Sequence, residues 1–191
     1  MSLLGKARSE LLQEWRKTRP EAVFIGIGGN LASPRLGPPR AVVTAAVTAL
    51  PAAGVHILRR SRWYWSAPVP PSDQPDFVNG VMEVECPLGP AALLKALHAV
   101  EAAFGRERSA RDAARILDLD LLDYRGQVSD GNDGPILPHP RMHLRAFVLR
   151  PLAELAPDWR HPVFLRSAAD LLAALPPGQR AEPVIEQHSN P

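Results

Sequence analysis

The stretch FGRERSARDAARILDLDLLDY, residues 104 to 124, constrains this chain more than any other. Its first half places four arginines, Arg106, Arg108, Arg111 and Arg115, within ten residues. Its second half alternates, and the only polar members before Asp123 are Asp118 and Asp120. A period of two is the mark of a strand with unlike faces, so Leu117, Leu119 and Leu121 fill one side while Asp118 and Asp120 stand together on the other. Two carboxylates held side by side repel each other unless a cation lies between their oxygens. A hard divalent ion such as Mg2+ takes oxygen ligands and completes its shell with water and substrate phosphates, and arginines just upstream suit the same phosphate charge.

Around that strand the pattern is α+β. Val23 to Gly28 reads as a buried strand running into the turn Gly29-Asn30-Leu31, where Asn tolerates the left-handed conformation. GIGGN lacks the G-x-G-x-x-G spacing and is not a dinucleotide fingerprint. Pro38 to Leu50 reads as a helix with Val42, Val43, Ala46 and Leu50 inward and a proline at its start. Val55 through Trp63, Tyr64 and Trp65 to Ser66 reads as one strand. The loop APVPPSDQP that follows holds four prolines in nine residues, stiff and of a length that serves function in compact domains. Phe77 to Glu85 alternates as a strand antiparallel to its predecessor, and Asn79 within it needs hydrogen-bond partners on both sides of its amide. Pro90 to Phe104 reads as a helix with Leu93, Leu94, Leu97, Val100 and Ala103 on one face and His98 and Glu101 on the other, stopped by Gly105. Strand, helix, strand, strand, helix, strand is the order of a ferredoxin-like antiparallel sheet with its helices on one face, the other face being left to bind a ligand. Beyond it come a loop over residues 126–135, His139 held between two prolines, an apolar run over 146–151, and a short helix from Ser167 to Leu175.

A chain of 191 residues suits one domain. Residues 1–20 read as an amphipathic helical extension, with Leu3, Leu4, Ala7, Leu11, Leu12 and Trp15 at helical spacing; residues 21–176 form the body and 177–191 a flexible tail. A net charge of +2 implies no polyanion-binding surface, and the 19 arginines against 3 lysines are explained by codon usage more readily than by phosphate recognition. The single cysteine, Cys86, excludes an internal disulfide and a cysteine-built zinc site, and points to a reducing compartment. With no run of membrane-spanning length and no signal-peptide core, the expectation is a cytoplasmic protein.

The ordered signature Arg111-x-Ala-Ala-Arg115-x-x-Asp118-Leu-Asp120-Leu-Leu resembles the 6-hydroxymethyl-7,8-dihydropterin pyrophosphokinase family. Supporting it are G-G-N-L at 28–31, Q-P-D-F-V-N at 74–79, H-A-V-E-A-A-F-G-R-E-R at 98–108 and L-P-H-P-R-M-H-L-R-A-F-V-L-R-P-L at 137–152, so the likeness runs from about Ala22 to Pro162. The resemblance implies Mg2+-dependent transfer of pyrophosphate from ATP to the pterin alcohol, giving AMP and the pterin diphosphate in folate biosynthesis. It implies that Asp118 and Asp120 are ligands of two Mg2+ ions and, with Arg106 and Arg115, the catalytic set. Phe77 and Phe147 stand where the family sandwiches its pterin, Asn79 where it reads the pterin's edge, and Ser66 and Val69 where the proline-rich loop assists. ATP falls to His98, Glu101, Arg106, Arg108, Arg115, His139 and Arg145. No general base is evident beyond Asp118. The partners implied are the two substrates, with no nucleic acid and no membrane, for a monomer whose N-terminal helix offers a surface for dimerisation.

Three positions depart from the family: Asp112-Ala-Ala replaces the usual Trp-Gly-Pro, Ser66 the usual threonine, and Pro140 a frequent tyrosine. The competing readings are a ferredoxin-like module that binds nucleotide or RNA without chemistry, and a pterin-binding scaffold without turnover. The first sits badly with Asp118 and Asp120, which would repel a nucleic-acid backbone.

Overall fold

The computed structural model describes residues 22–106 and 113–185; Arg108, Arg111, Asp112 and the amphipathic segment over residues 2–18 lie outside the described residues. In chain order the elements are β1 (Val23–Gly29), α1 (Pro39–Ala49), β2 (His56–Arg60), β3 (Tyr64–Ser66), β4 (Phe77–Glu85) and α2 (Pro90–Ala103). They continue with β5 (Asp118–Tyr124), β6 (Ser129–Asp130), β7 (Ile136–Leu137), α3 (Ala146–Leu155), α4 (Ala168–Ala173) and β8 (Ala181–Pro183). The main sheet runs β5-β1-β4-β3-β8, with β2 also on β4, and every pairing is antiparallel. β1 lies inside the sheet, between β5 and β4, as suits VFIGIGG, which is apolar on both sides and has six of its seven residues buried.

Val23, Ile25 and Ile27 of β1, Val78, Met82 and Val84 of β4, and Leu117, Leu119 and Leu121 pack under Val42, Val43 and Ala46 of α1 and Leu93, Leu97 and Val100 of α2. Both helices open on prolines, whose fixed φ and missing N–H suit a first turn. The opposite face carries Phe24, Val81 and Leu122, and it is not left open as expected. Val148, Leu149, Leu152 and Leu155 of α3 cover part of it, with Trp159 beyond. Those positions have helical spacing, but Pro151 sits among them; proline costs one backbone bond in a helix interior and normally marks an end. Here Pro151 is buried inside the helix.

Two further differences have local causes. The strand expected from Val55 to Ser66 is two strands, β2 and β3, lying along the same edge of β4. Ser61 separates them: its N–H donates to Val81 O at 3.0 Å, and its hydroxyl takes the Val81 N–H at 3.1 Å in place of a backbone carbonyl. Within the segment read as a tail, Ala181–Pro183 pairs with β3 as an edge strand, and Gln179 holds the start of α3 by accepting the Ala146 N–H at 2.9 Å. The short helix α4 begins, as expected, on Ser167, whose hydroxyl and Asp170 form a capping box. Among the described residues no helix is long and apolar enough to cross a membrane.

Candidate active site

β5 projects Asp118 and Asp120 from the face opposite Leu119, as the alternation requires, and basic side chains surround them. Arg106 Nη1 lies 2.7 Å from Asp118 Oδ1, and Arg115 Nη1 lies 2.9 Å from Asp118 Oδ2. Arg145 Nη1 is 3.7 Å and His139 Nε2 is 3.9 Å from the two oxygens of Asp120. Burial, then the neighbouring Asp118 carboxylate, holds the Asp120 carboxyl above the usual carboxylate range. Burial, aided by Arg145 and Arg141, pushes His139 down to about 4, so at neutral pH its ring is uncharged. Its Nδ1 accepts the Arg141 N–H at 3.2 Å, which leaves the ring proton on Nε2, facing Asp120. Two neighbouring acids with arginine forks around them suit a divalent cation that brings phosphate oxygens with it, to which the arginines can turn. Among the described residues no group of three metal-binding side chains occurs, so a metal here would need those phosphates to complete its shell.

The second half of the site is apolar with two polar groups. Ser66, Val69, Phe77, Asn79 and Phe147 line the same pocket as Arg115, Asp118, Asp120 and Arg145, an open space of about 670 Å³ including its mouth. That mixture of apolar walls and a few convergent polar groups fits a small-molecule site. Asn79 Nδ2 donates to Ser66 Oγ at 2.7 Å, so the strand asparagine has one of its partners on the next strand. Gly28 faces it across the sheet. A Cβ on Gly28 would lie 2.5 Å from Asn79 Oδ1, and the glycine therefore makes room for the amide. The Arg145 guanidinium sits 5.3 Å from the centre of the Phe147 ring, joining the charged half of the pocket to the apolar half.

Four of the residues expected in the site do not line this pocket. His98 lies on the exposed side of α2, and His139 stands behind Asp120. Arg106 bridges Asp118 and Glu101. Glu101, expected on the polar face of its helix, is instead 3 % exposed: its carboxylate takes the Leu119 N–H at 2.6 Å and pairs with Arg106. Burial pushes its carboxyl up to about 7, against the opposing pull of the Leu119 N–H and Arg106. Helical spacing alone could not reveal this, because the groups that bury Glu101 come from β5.

Asp123 is a further buried acid, for which sequence alternation assigns no role. It is 1 % exposed, accepts the Trp159 indole N–H at 2.7 Å and the Gly126 N–H at 3.0 Å, and ties the segment after α3 to β5. An acid in a run of leucines followed by a tyrosine was the available signal.

The 7,8-dihydro-6-hydroxymethylpterin-pyrophosphokinase (HPPK) family model matches residues 24–157. A Pseudomonas aeruginosa protein named 2-amino-4-hydroxy-6-hydroxymethyldihydropteridine pyrophosphokinase is 43% identical over 159 residues, covering 82% of this chain and 93% of that protein. A Synechocystis protein of the same name is 41% identical over 139 residues, covering 72% and 68%. Among solved structures, wild-type HPPK-DHPS of Plasmodium falciparum with pteroate matches with a TM-score of 0.59 at 11% identity, over 80% of this chain. The chain spans 42% of that longer protein, and at this identity the likeness speaks to the fold alone. On the family match over most of its length and on relatives above 40% identity, the chain belongs to the 7,8-dihydro-6-hydroxymethylpterin-pyrophosphokinase family.

Proposed function

We propose that this protein is the pyrophosphokinase that transfers pyrophosphate from ATP to 6-hydroxymethyl-7,8-dihydropterin, releasing AMP. One observation carries the reading: a single pocket is lined by Asp118, Asp120, Arg115 and Arg145 and also by Phe77, Phe147, Asn79 and Ser66. A phosphate-handling half and a flat, apolar half with a hydrogen-bonding edge are what a transfer from nucleotide to pterin needs in one place. The pterin hydroxymethyl oxygen attacks the β-phosphorus in line, the bond from that phosphorus to the α,β-bridging oxygen breaks, AMP leaves, and the hydroxyl proton passes to solvent. No covalent intermediate on the protein is required, so the enzyme's contribution is positioning and charge compensation.

Phe77 and Phe147 stack on the pterin, while Asn79 and Ser66, already joined to each other, read its edge with help from the loop at Val69. Asp118 and Asp120 hold two Mg2+ ions, which when bound neutralise the phosphate charge. Arg106 and Arg115, which rest on Asp118, turn to the phosphates when ATP arrives, and Arg145, His139 and Arg108 join them. His98 meets the nucleotide from the exposed side of α2, and Glu101 acts through Arg106. The order β5-β1-β4 with β2 and β3 beside β4 supports a ferredoxin-like core. The protein is proposed to act as a cytoplasmic monomer with ATP and the pterin as its partners.

The test is AMP release from ATP with Mg2+, in the presence and absence of the hydroxymethyl dihydropterin. The enzyme gives AMP only with both; a binding module gives none, and AMP without pterin would mean a hydrolase.

A further inference from the structure

Of the motif Gly28-Gly29-Asn30-Leu31 only Gly28 lines the pocket; Asn30 has no role in the reaction above, yet it is only 2 % exposed. The carboxamide reaches in two directions. Its Oδ1 accepts the Arg115 N–H at 2.8 Å, while the backbone N–H groups of Asn30 and Leu31 donate to Arg115 O at 3.0 and 3.2 Å. Its Nδ2 donates to Pro75 O at 3.1 Å and to Gln74 Oε1 at 3.3 Å. Arg115 lies at the C-terminal end of the arginine cluster and holds Asp118. Gln74 and Pro75 end the proline-rich loop whose Ala67, Pro68 and Val69 line the apolar half of the pocket, just before Phe77. One buried carboxamide therefore joins the backbone of the ATP wall to the backbone of the pterin wall. Gly29 makes the junction possible, since a Cβ there would collide with Ile116 O.

We infer that Asn30 is a positioning residue that couples the two walls, so that ATP and pterin each bind more tightly when the other is present. This rests on the proposed reaction and deepens it. A buried amide whose oxygen and nitrogen both have partners leaves little freedom to move one partner alone. A ligand that orders Arg115 orders Gln74 and Pro75 through the same group, and the second ligand meets a wall with less conformational entropy left to lose. By linkage the effect is reciprocal.

The variants separate the two arms. Asn30→Asp keeps an acceptor for the Arg115 N–H and sets its second oxygen against Pro75 O and Gln74 Oε1, so it cuts the loop arm alone. Gln74→Ala removes one of the two loop acceptors from a partly exposed position. Calorimetry on the full chain with Mg2+ would measure the dissociation constants of 6-hydroxymethylpterin and of the non-cleavable analogue α,β-methylene-ATP. Each is titrated alone and with the other saturating. Wild type should show a coupling of about tenfold or more, Asn30→Asp about onefold with its affinity for the analogue alone changed less than about threefold, and Gln74→Ala a value between.

A merely structural asparagine would weaken both ligands together and leave their ratio intact, and that result in Asn30→Asp overturns the inference. If Asn30→Asp does not fold, unchanged coupling in Gln74→Ala overturns it as well, and reduced coupling there supports it. Wild type binding both ligands without coupling overturns the inference and spares the reaction, whereas wild type binding neither ligand overturns the reaction and the inference with it.

Discussion

Leu119 lies under α2 with 2 % of its surface exposed, while its neighbours Asp118 and Asp120 on the same strand face arginines across an open pocket. The two faces of the sheet thus come from one alternating sequence and hold opposite things. The α1/α2 face is closed by aliphatic packing and gives the strands a rigid backing. The other is covered in part by α3, and on it burial raises the carboxyl of Asp120 and lowers the imidazole of His139. A strand can therefore carry a site without weakening the core, because its two faces are changed by different substitutions.

The sharpest way to break this division is to substitute neighbours on β5. Asp120→Asn, or Asp118→Asn, should lower kcat about a thousandfold, equivalent to about 4 kcal/mol in the barrier, because on the proposed mechanism a bound metal would lose a charge that holds it. The thermal midpoint should move by no more than a few degrees, since neither side chain is core. Near-normal turnover at saturating Mg2+ from either variant would remove the acids from the reaction. Leu119→Ala, between them, should do the reverse and cost about 2–4 kcal/mol of stability in urea unfolding, with the KM of both substrates little changed in the folded fraction.

Asp123 tests the packed part of the second face. Burial pushes its carboxyl from 3.8 up to about 6, against the Trp159 indole and the Gly126 N–H. An acid with a raised folded pKa binds its proton more tightly when folded, so its contribution to stability is complete below about pH 4 and is lost as pH rises through 6. The stability of wild type minus that of Asp123→Asn should therefore fall by roughly 2–3 kcal/mol between pH 4 and pH 7. Glu101 titrates over an overlapping window, and taking the difference removes it. A difference that is flat across this range would show that Trp159 holds an ordinary, solvated carboxylate.

What could be read from the sequence divides along the same lines. The common face of Asp118 and Asp120, the inward residues of α1 and α2 and the antiparallel β4 follow from periodicity, which fixes directions before any partner is known. Features that depend on distant pairs were not legible. Glu101 is buried by the Leu119 N–H from another element, and Gln179 caps α3 from 33 residues away. Ser61 breaks a strand with a hydroxyl that stands in for a carbonyl, and Pro151 looks like a terminus but lies within α3. In the candidate site, Asp118, Asp120 and Asn79 stood out from strand alternation, while Ser66, Phe77 and Phe147 were placed by the family resemblance; Asn30 was not legible, because its partners lie in two loops far apart in sequence.

The smallest expected effect is also the most specific. Phe147 stands near the start of α3, half-buried, with one side of its ring within reach of the Arg145 guanidinium and the residue itself lining the pocket. Phe147→Ala removes a stacking surface without removing a charge, so it should weaken pterin binding by about 1–2 kcal/mol. ATP-analogue affinity should stay within about twofold, because Arg145 keeps its place near Asp120. Phe147→Leu separates area from stacking: it restores the apolar contact but not the flat face, and its pterin affinity should fall between the other two. Equal losses for pterin and nucleotide in Phe147→Ala would mean that the start of α3 had shifted and carried Arg145 with it. The second face would then act at this point as a packing surface like the first, and the stacking role of the ring would have to be given up.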